Sequence, residues 1–217
     1  MLVKDYMTRH PLMAEPTMSI VEAQRYMGEN NIRHLPVVGA GKRLLGLATR
    51  QTLLVEPGKL GSLDVWEIAR TLSGLALEDV MTPAEDVITT GPDITIEEAA
   101  RIMVENKIGC LPVLEEGVVV GIITEIDLLA LMMEIMATRV PGVRVTVRMP
   151  NVAGELAKLV SAISAHGWGI LACGGAPAPK EPDKWDTVVK IRNIPQAEIV
   201  AALGQVKGQE IVDVREV

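Results

Sequence analysis

Ile108-Gly109-Cys110-Leu111-Pro112-Val113, followed by Gly121-Ile122-Ile123-Thr124-Glu125-Ile126-Asp127, has a counterpart earlier in the chain: Ile32-Arg33-His34-Leu35-Pro36-Val37 and then Gly46-Leu47-Ala48-Thr49-Arg50-Gln51-Thr52. Outward from these, Val3-Lys4-Asp5-Tyr6-Met7-Thr8 returns as Leu77-Glu78-Asp79-Val80-Met81-Thr82, and Ser19-Ile20-Val21-Glu22-Ala23 returns as Thr95-Ile96-Glu97-Glu98-Ala99. Four blocks in one order, offset by 74 to 76 residues, define a duplicated unit over the first two-thirds of the chain.

Each copy reads as strand, helix, strand, strand, helix. Ser19 with Glu22, and Thr95 with Glu98, have the spacing of a capping box, which starts both helices at equivalent places. Ile20, Ala23 and Met27, like Ile96, Ala99 and Met103, recur at helical spacing and predict one buried stripe per helix. The Leu-Pro-Val segments are short strands, with proline where an edge or a strand start tolerates it. Glu56-Pro57-Gly58 breaks the chain between copies, and Asp64 can cap a connecting helix assigned to 63–76.

Gly121 to Asp127 carries the sharpest chemistry. A strand ending at Thr124 delivers a helix N-terminus, where free amides and the helix dipole favour a phosphate. The Thr124 hydroxyl can join them, and the Asp127 carboxylate can accept from the two vicinal hydroxyls of a ribose. Glycine at 121 keeps bulk away from the approach. The same spacing also describes a simple cap, in which the carboxylate steadies its own helix.

Composition narrows the function classes. The 217 residues carry a formal charge of -7, against the basic face that nucleic-acid proteins use to neutralise phosphate. Phe is absent, and three Trp and two Tyr offer few stacking platforms for single strands. No apolar run reaches the ~18 residues of a membrane span, and the opening segment lacks a secretory apolar core, so a soluble, cytoplasmic protein is expected. Cys110 and Cys173 fit neither a disulfide framework nor a metal spacing, and His10 and His166 have no ligand partners in sequence. Cys110 and His34 stand at equivalent repeat positions, but no orienting carboxylate or oxyanion motif accompanies them. The chain is expected not to be an enzyme and to need no cofactor or metal.

The Met-Thr opening, Leu-Pro-Val strand and Gly-Ile-Ile-Thr-x-x-Asp ending, in order and twice, resemble a tandem pair of CBS domains, a Bateman module, over residues 1–138. The resemblance implies βαββα units at 1–62 and 77–138 packed sheet to sheet, with clefts that bind adenosine-containing ligands: AMP, ADP, ATP, NADH or S-adenosylmethionine. It implies phosphate and ribose roles for Thr124 and Asp127, with Gly121 and Ile122 beside them. Thr89, Ile108, Cys110 and Leu111 would cradle the adenine, and Arg33 and His34 would face the cleft from the opposite wall. Arg33 is equally readable as a surface charge, and His34 as a structural histidine. In the first copy Thr52 replaces the carboxylate, so the site at Thr49, Arg50 and Thr52 is expected to be weak, altered or empty.

The helix from Leu128 to Met136 is apolar around most of its circumference, which requires a second partner. The resemblance implies a homodimer formed through such helices; burial within the chain is the alternative. From residue 142 the pattern changes to βαββαβ: strands at Val143–Met149, Gly169–Cys173, Thr187–Ile191 and Ile211–Val217, and helices with a Leu156, Leu159, Ile163 stripe and over Gln196–Leu203. Gly174 to Pro182 is expected to be an irregular loop. With the Pro-Asn-Val-Ala-Gly-Glu-Leu turn, this order resembles a ferredoxin-like ACT domain over 142–217, which implies pairing through sheets and amino-acid binding at Asn151 and Gly154. The whole is an α+β chain whose order CBS, CBS, ACT resembles the AcuB-like proteins of acetoin utilisation. Two functions remain open: a nucleotide sensor that regulates an unknown partner protein, and a constitutive dimeric scaffold with a vestigial cleft.

Overall fold

The computed structural model describes residues 1–54 and 74–217, so the connecting helix and its Asp64 cap fall outside the described residues up to 73. The chain forms two compact units, Met1–Leu128 and Leu129–Val217.

In the first unit α1 (Val3–Tyr6), β1 (Thr8–Arg9), α2 (Ile20–Glu29), β2 (His34–Val38) and β3 (Leu44–Thr49) form the first copy. The second copy repeats this with β4 (Thr82–Pro83), α3 (Ile96–Asn106), β5 (Cys110–Glu115), β6 (Val118–Thr124) and α4 (Glu125–Ile135), which continues past residue 128. The expected stripes are buried: Ile20, Ala23 and Met27 on α2, and Ile96, Ala99 and Met103 on α3. The first packs on Leu35, Val37 and Ala48. Removing each such side chain from water contributes about 1.5–3 kcal/mol for Leu, Ile or Met. The helix starts hold the hydroxyl half of the capping box, Ser19 accepting from the Glu22 amide at 3.2 Å and Thr95 from the Glu98 amide at 3.1 Å. The carboxylate half is diverted in the second copy, where Glu98 accepts from Arg101 instead.

The copies exchange their opening strands. The sheets run β1-β6-β5 and β2-β3-β4. Thr8 and Arg9 pair with Ile122 and Gly121 of the second copy, while Thr82 and Pro83 pair with Leu47 and Gly46 of the first. Gly121 therefore has a different job from the one expected. A Cβ there would lie 2.3 Å from Met7 Sδ, so the missing side chain makes room for the crossing strand, not for a ligand. Gly46 does the same beneath Met81 and the Thr82 carbonyl.

In the second unit β7 (Val143–Pro150), α5 (Glu155–Ala165), β8 (Ile170–Pro177), β9 (Lys184–Ile191), α6 (Gln196–Leu203) and β10 (Glu210–Glu216) follow the expected βαββαβ order. They build an antiparallel sheet ordered β10-β7-β9-β8. Val143, Val145, Val147 and Met149 point into a core with Leu159, Ile163, Ile199 and Leu203. Two expectations are corrected. Residues 174–177 are strand, not loop, because β8 is an edge strand that tolerates Pro177 at its end. Gly175 lets it lie against Trp185, whose indole nitrogen a Cβ would meet at 2.2 Å. On α5, Leu156 is exposed, and the stripe is completed by Glu155, whose buried carboxylate bonds Lys158 and Gln209. No helix among the described residues is long and apolar enough to cross a membrane.

Candidate functional site

Two cavities lie between the copies. The first, about 540 Å³, is walled by Thr124, Glu125, Ile126 and Asp127 on one side and by Asn31 to His34 on the other, with Thr8 and His10 to Leu12 at its edge. The strand exchange delivers Thr8, and antiparallel pairing of β5 with β6 sets Thr124 opposite Cys110. The second, about 360 Å³, is lined by Thr49, Arg50, Gln51, Thr82, Asp86 to Ile88, and Lys107 to Cys110. Arg33 and His34 line both.

The expected residues therefore divide. Thr124, Asp127, Ile122, Arg33 and His34 meet in the first cavity. Ile108 and Cys110 face the second, with Thr49 and Arg50. Leu111 is wholly buried, and Thr89, Gly121 and Thr52 line neither cavity. His10, Asn31 and Leu12 were not expected. Asn31 adjoins the Arg33 wall, whereas only the crossing of Thr8 into the other copy's sheet brings His10 and Leu12 there, and a local reading of residues 8–12 gives no sign of it.

The N-terminus of α4 is already tightly bonded. Asp127 Oδ2 accepts from the Thr124 amide at 2.8 Å and from the Thr124 hydroxyl at 2.7 Å. The Asp127 amide donates back to that hydroxyl at 3.4 Å, and the Glu125 amide donates to the Gly109 carbonyl at 3.0 Å. The cap is thus real, and it leaves one side-chain oxygen, Asp127 Oδ1, without a partner among the described residues. In the first copy Thr52 copies the cap, its hydroxyl accepting from the Thr49 amide at 2.8 Å. That hydroxyl also donates to the Thr49 carbonyl at 3.0 Å, so no spare acceptor equivalent to Oδ1 remains.

Charge sits unevenly. Arg33 is the only Lys or Arg lining the first cavity among the described residues, and it faces Glu125 at 3.7 Å. The second cavity has Arg33, Arg50 and Lys107 against Asp86. Burial holds the His34 pKa below 6.5, the Glu125 carboxylate opposing and Arg33 reinforcing. Burial pushes the Cys110 thiol up to about 12, Glu125 adding to it, so this thiol stays protonated and unreactive at neutral pH. No cluster of His, Cys, Asp and Glu that could hold a metal is present among the described residues. In the second unit Asn151 and Gly154 sit in the turn before α5, Gly154 at a φ of 93° that favours glycine.

The family described as "CBS domain" matches residues 3–57 and 77–134. Among solved structures, a Vibrio cholerae protein named for acetoin utilization, AcuB, superposes with a TM-score of 0.53 at 33% identity, over 64% of this chain and 95% of its own. CBSX2 of Arabidopsis thaliana, solved in complex with AMP, gives a TM-score of 0.51 at 25% identity over 62% of this chain and 97% of that one. MJ1225 of Methanocaldococcus jannaschii is 34% identical over 59% of this chain and 46% of its own length. An inosine-5'-monophosphate dehydrogenase of Korarchaeum cryptofilum is 35% identical over 57% of this chain but 23% of its own length. The chain spans less than half the length of these curated relatives.

Proposed function

Because the chain belongs to the CBS-domain family, we propose that it is a non-catalytic regulatory protein that binds an adenine nucleotide in the first cavity. The observation that carries this is the unspent Asp127 Oδ1 at the N-terminus of α4, on a wall of the first cavity. The carboxylate oxygen accepts from a ribose hydroxyl. The N-terminus of α4 and Arg33 hold the phosphate, the helix dipole adding to their pull. The Thr124 hydroxyl serves the phosphate only by giving up its bond to Asp127, so it is a secondary contact. The CBSX2 complex with AMP, on a related pair of domains, supports this ligand class.

The second unit is proposed to be an ACT domain. Its sheet order, with β7 and β9 central, is that of a ferredoxin-like fold, and the Gly154 turn is the place where an amino acid would bind. The exposed apolar side chains of α4, Ile126, Leu129, Met132, Met133 and Ile135, support a homodimer through this helix. The protein then acts in the cytoplasm on a partner protein.

A thermal-shift panel of AMP, ADP, ATP, NADH, S-adenosylmethionine and the amino acids tests the reading. A ligand at about 100 times its dissociation constant stabilises by about 2.7 kcal/mol, a readily visible rise in melting temperature. If no adenine compound moves the melting point at millimolar concentration, the protein is a scaffold with an unused cleft.

A further inference from the structure

Arg33 stands at a boundary. It lines both cavities, and in the first it is the only Lys or Arg among the described residues. No second arginine can substitute for it from the other copy. The repeat-equivalent residue is Gly109, where even a Cβ would approach His34 Nε2 at 3.4 Å and the Glu125 carboxylate at 3.5 Å. His34, the other side chain shared by both cavities, is kept neutral by its burial and adds no fixed charge to either. The first cavity otherwise presents two carboxylates, Glu125 and Asp127. The second assembles Arg33, Arg50 and Lys107 around a single carboxylate, Asp86. The Arg33–Glu125 pair is long, at 3.7 Å, with both side chains more than half exposed. Such a pair contributes little and is readily exchanged for a stronger partner.

We propose that the second cavity is an anion site for a chain of phosphates, and that such an anion, by drawing Arg33 to itself, antagonises phosphorylated ligands in the first cavity while sparing uncharged ones. The site lacking the ribose carboxylate is then not a decayed copy. It selects on phosphate charge, and one guanidinium serving two cavities converts its occupancy into a change of preference next door. Coupling of this kind is reciprocal, so a nucleotide phosphate in the first cavity equally weakens the anion in the second. This rests on nucleotide binding in the first cavity, and the experiment separates the two.

Isothermal titration measures AMP and adenosine binding to the full chain with rising inorganic tripolyphosphate, ionic strength being held constant with sodium chloride. The AMP dissociation constant should rise about five- to tenfold at saturating tripolyphosphate, the low end of common allosteric couplings, while that of adenosine moves less than about twofold. Arg50→Ala with Lys107→Ala, which leaves the first cavity untouched, should abolish the antagonism and keep AMP binding intact. Cytidine triphosphate run in parallel separates the sources of the anion: greater potency than tripolyphosphate assigns the site to a nucleotide tail, equal potency to a free chain. AMP binding that stays constant while tripolyphosphate saturates the protein overturns the antagonism and leaves the nucleotide reading standing. So does antagonism that persists in the double variant, since the anion then competes directly in the first cavity. Tripolyphosphate that does not bind overturns the anion site. Failure of both AMP and adenosine to bind overturns the nucleotide reading itself.

Discussion

Replacing Asp127 separates its two jobs, because the structure gives each carboxylate oxygen a different one. Oδ2 caps α4 through the Thr124 amide and hydroxyl at 2.8 and 2.7 Å, and Oδ1 is left for the ligand. Asp127→Ala removes both. Loss of an N-terminal cap typically costs about 1 kcal/mol of stability, within a range of about 0.5–2 kcal/mol. For a chain of this size that is a fall of about 2–4 °C in melting temperature. Loss of a hydrogen bond to a charged acceptor costs the ligand about 1.5–3 kcal/mol, which raises the dissociation constant about ten- to a hundredfold. Asp127→Asn keeps a carbonyl oxygen for the Thr124 amide but drops the charge. It should therefore recover most of the melting temperature and only part of the affinity. Melting of the free protein and calorimetry with adenosine, which has no phosphate to mask the effect, read the two quantities independently. Affinity within about twofold of the parent alongside a lowered melting point would show that Asp127 is a cap and nothing more.

The exchanged strands make Gly46 and Gly121 sensitive to a single methyl group. Overpacking at a crowded site costs about 1–3 kcal/mol. Gly46→Ala should be the worse of the two, because its Cβ meets the Thr82 carbonyl at 2.6 Å as well as Met81, whereas at Gly121 the flexible Met7 side chain can move. Equal melting temperatures for the two variants would contradict the crossing described. For His34, the folded-state pKa lies below the 6.5 of the free side chain, so the unfolded chain binds the extra proton first. Stability should then fall as pH drops below about 6.5, and His34→Gln should flatten that part of the melting-temperature profile. A variant profile that parallels the parent between pH 7 and 5 would remove His34 as the cause.

The duplication was legible because each copy must rebuild one helix stripe and two strands, and Ile20, Ala23, Met27 and their repeats survive as a periodic signal. The strand exchange was not. Thr8 and Thr82 fit the edge of either sheet equally, and a glycine facing a methionine, Gly121 with Met7 or Gly46 with Met81, carries no mark of which copy supplies each partner. For the same reason the cavity walls could not be assigned from spacing. Arg33 lines both cavities while its repeat equivalent, Gly109, lines only the second, and His10 and Leu12 arrive only by the crossing. In the second unit the strand through Gly174 to Pro177 was hidden by its breakers, whose cost disappears at a sheet edge and beside Trp185. Glu155 was hidden by its charge, which Lys158 and Gln209 compensate inside the fold.

A crystal structure of the full chain grown with AMP tests the central claim most directly. The account predicts nucleotide density in the cavity walled by Thr124 to Asp127, with a ribose hydroxyl within hydrogen-bond distance of Asp127 Oδ1 and the phosphate facing the N-terminus of α4 and Arg33. An empty first cavity beside an occupied second one, or a nucleotide whose ribose lies away from Asp127, would contradict it.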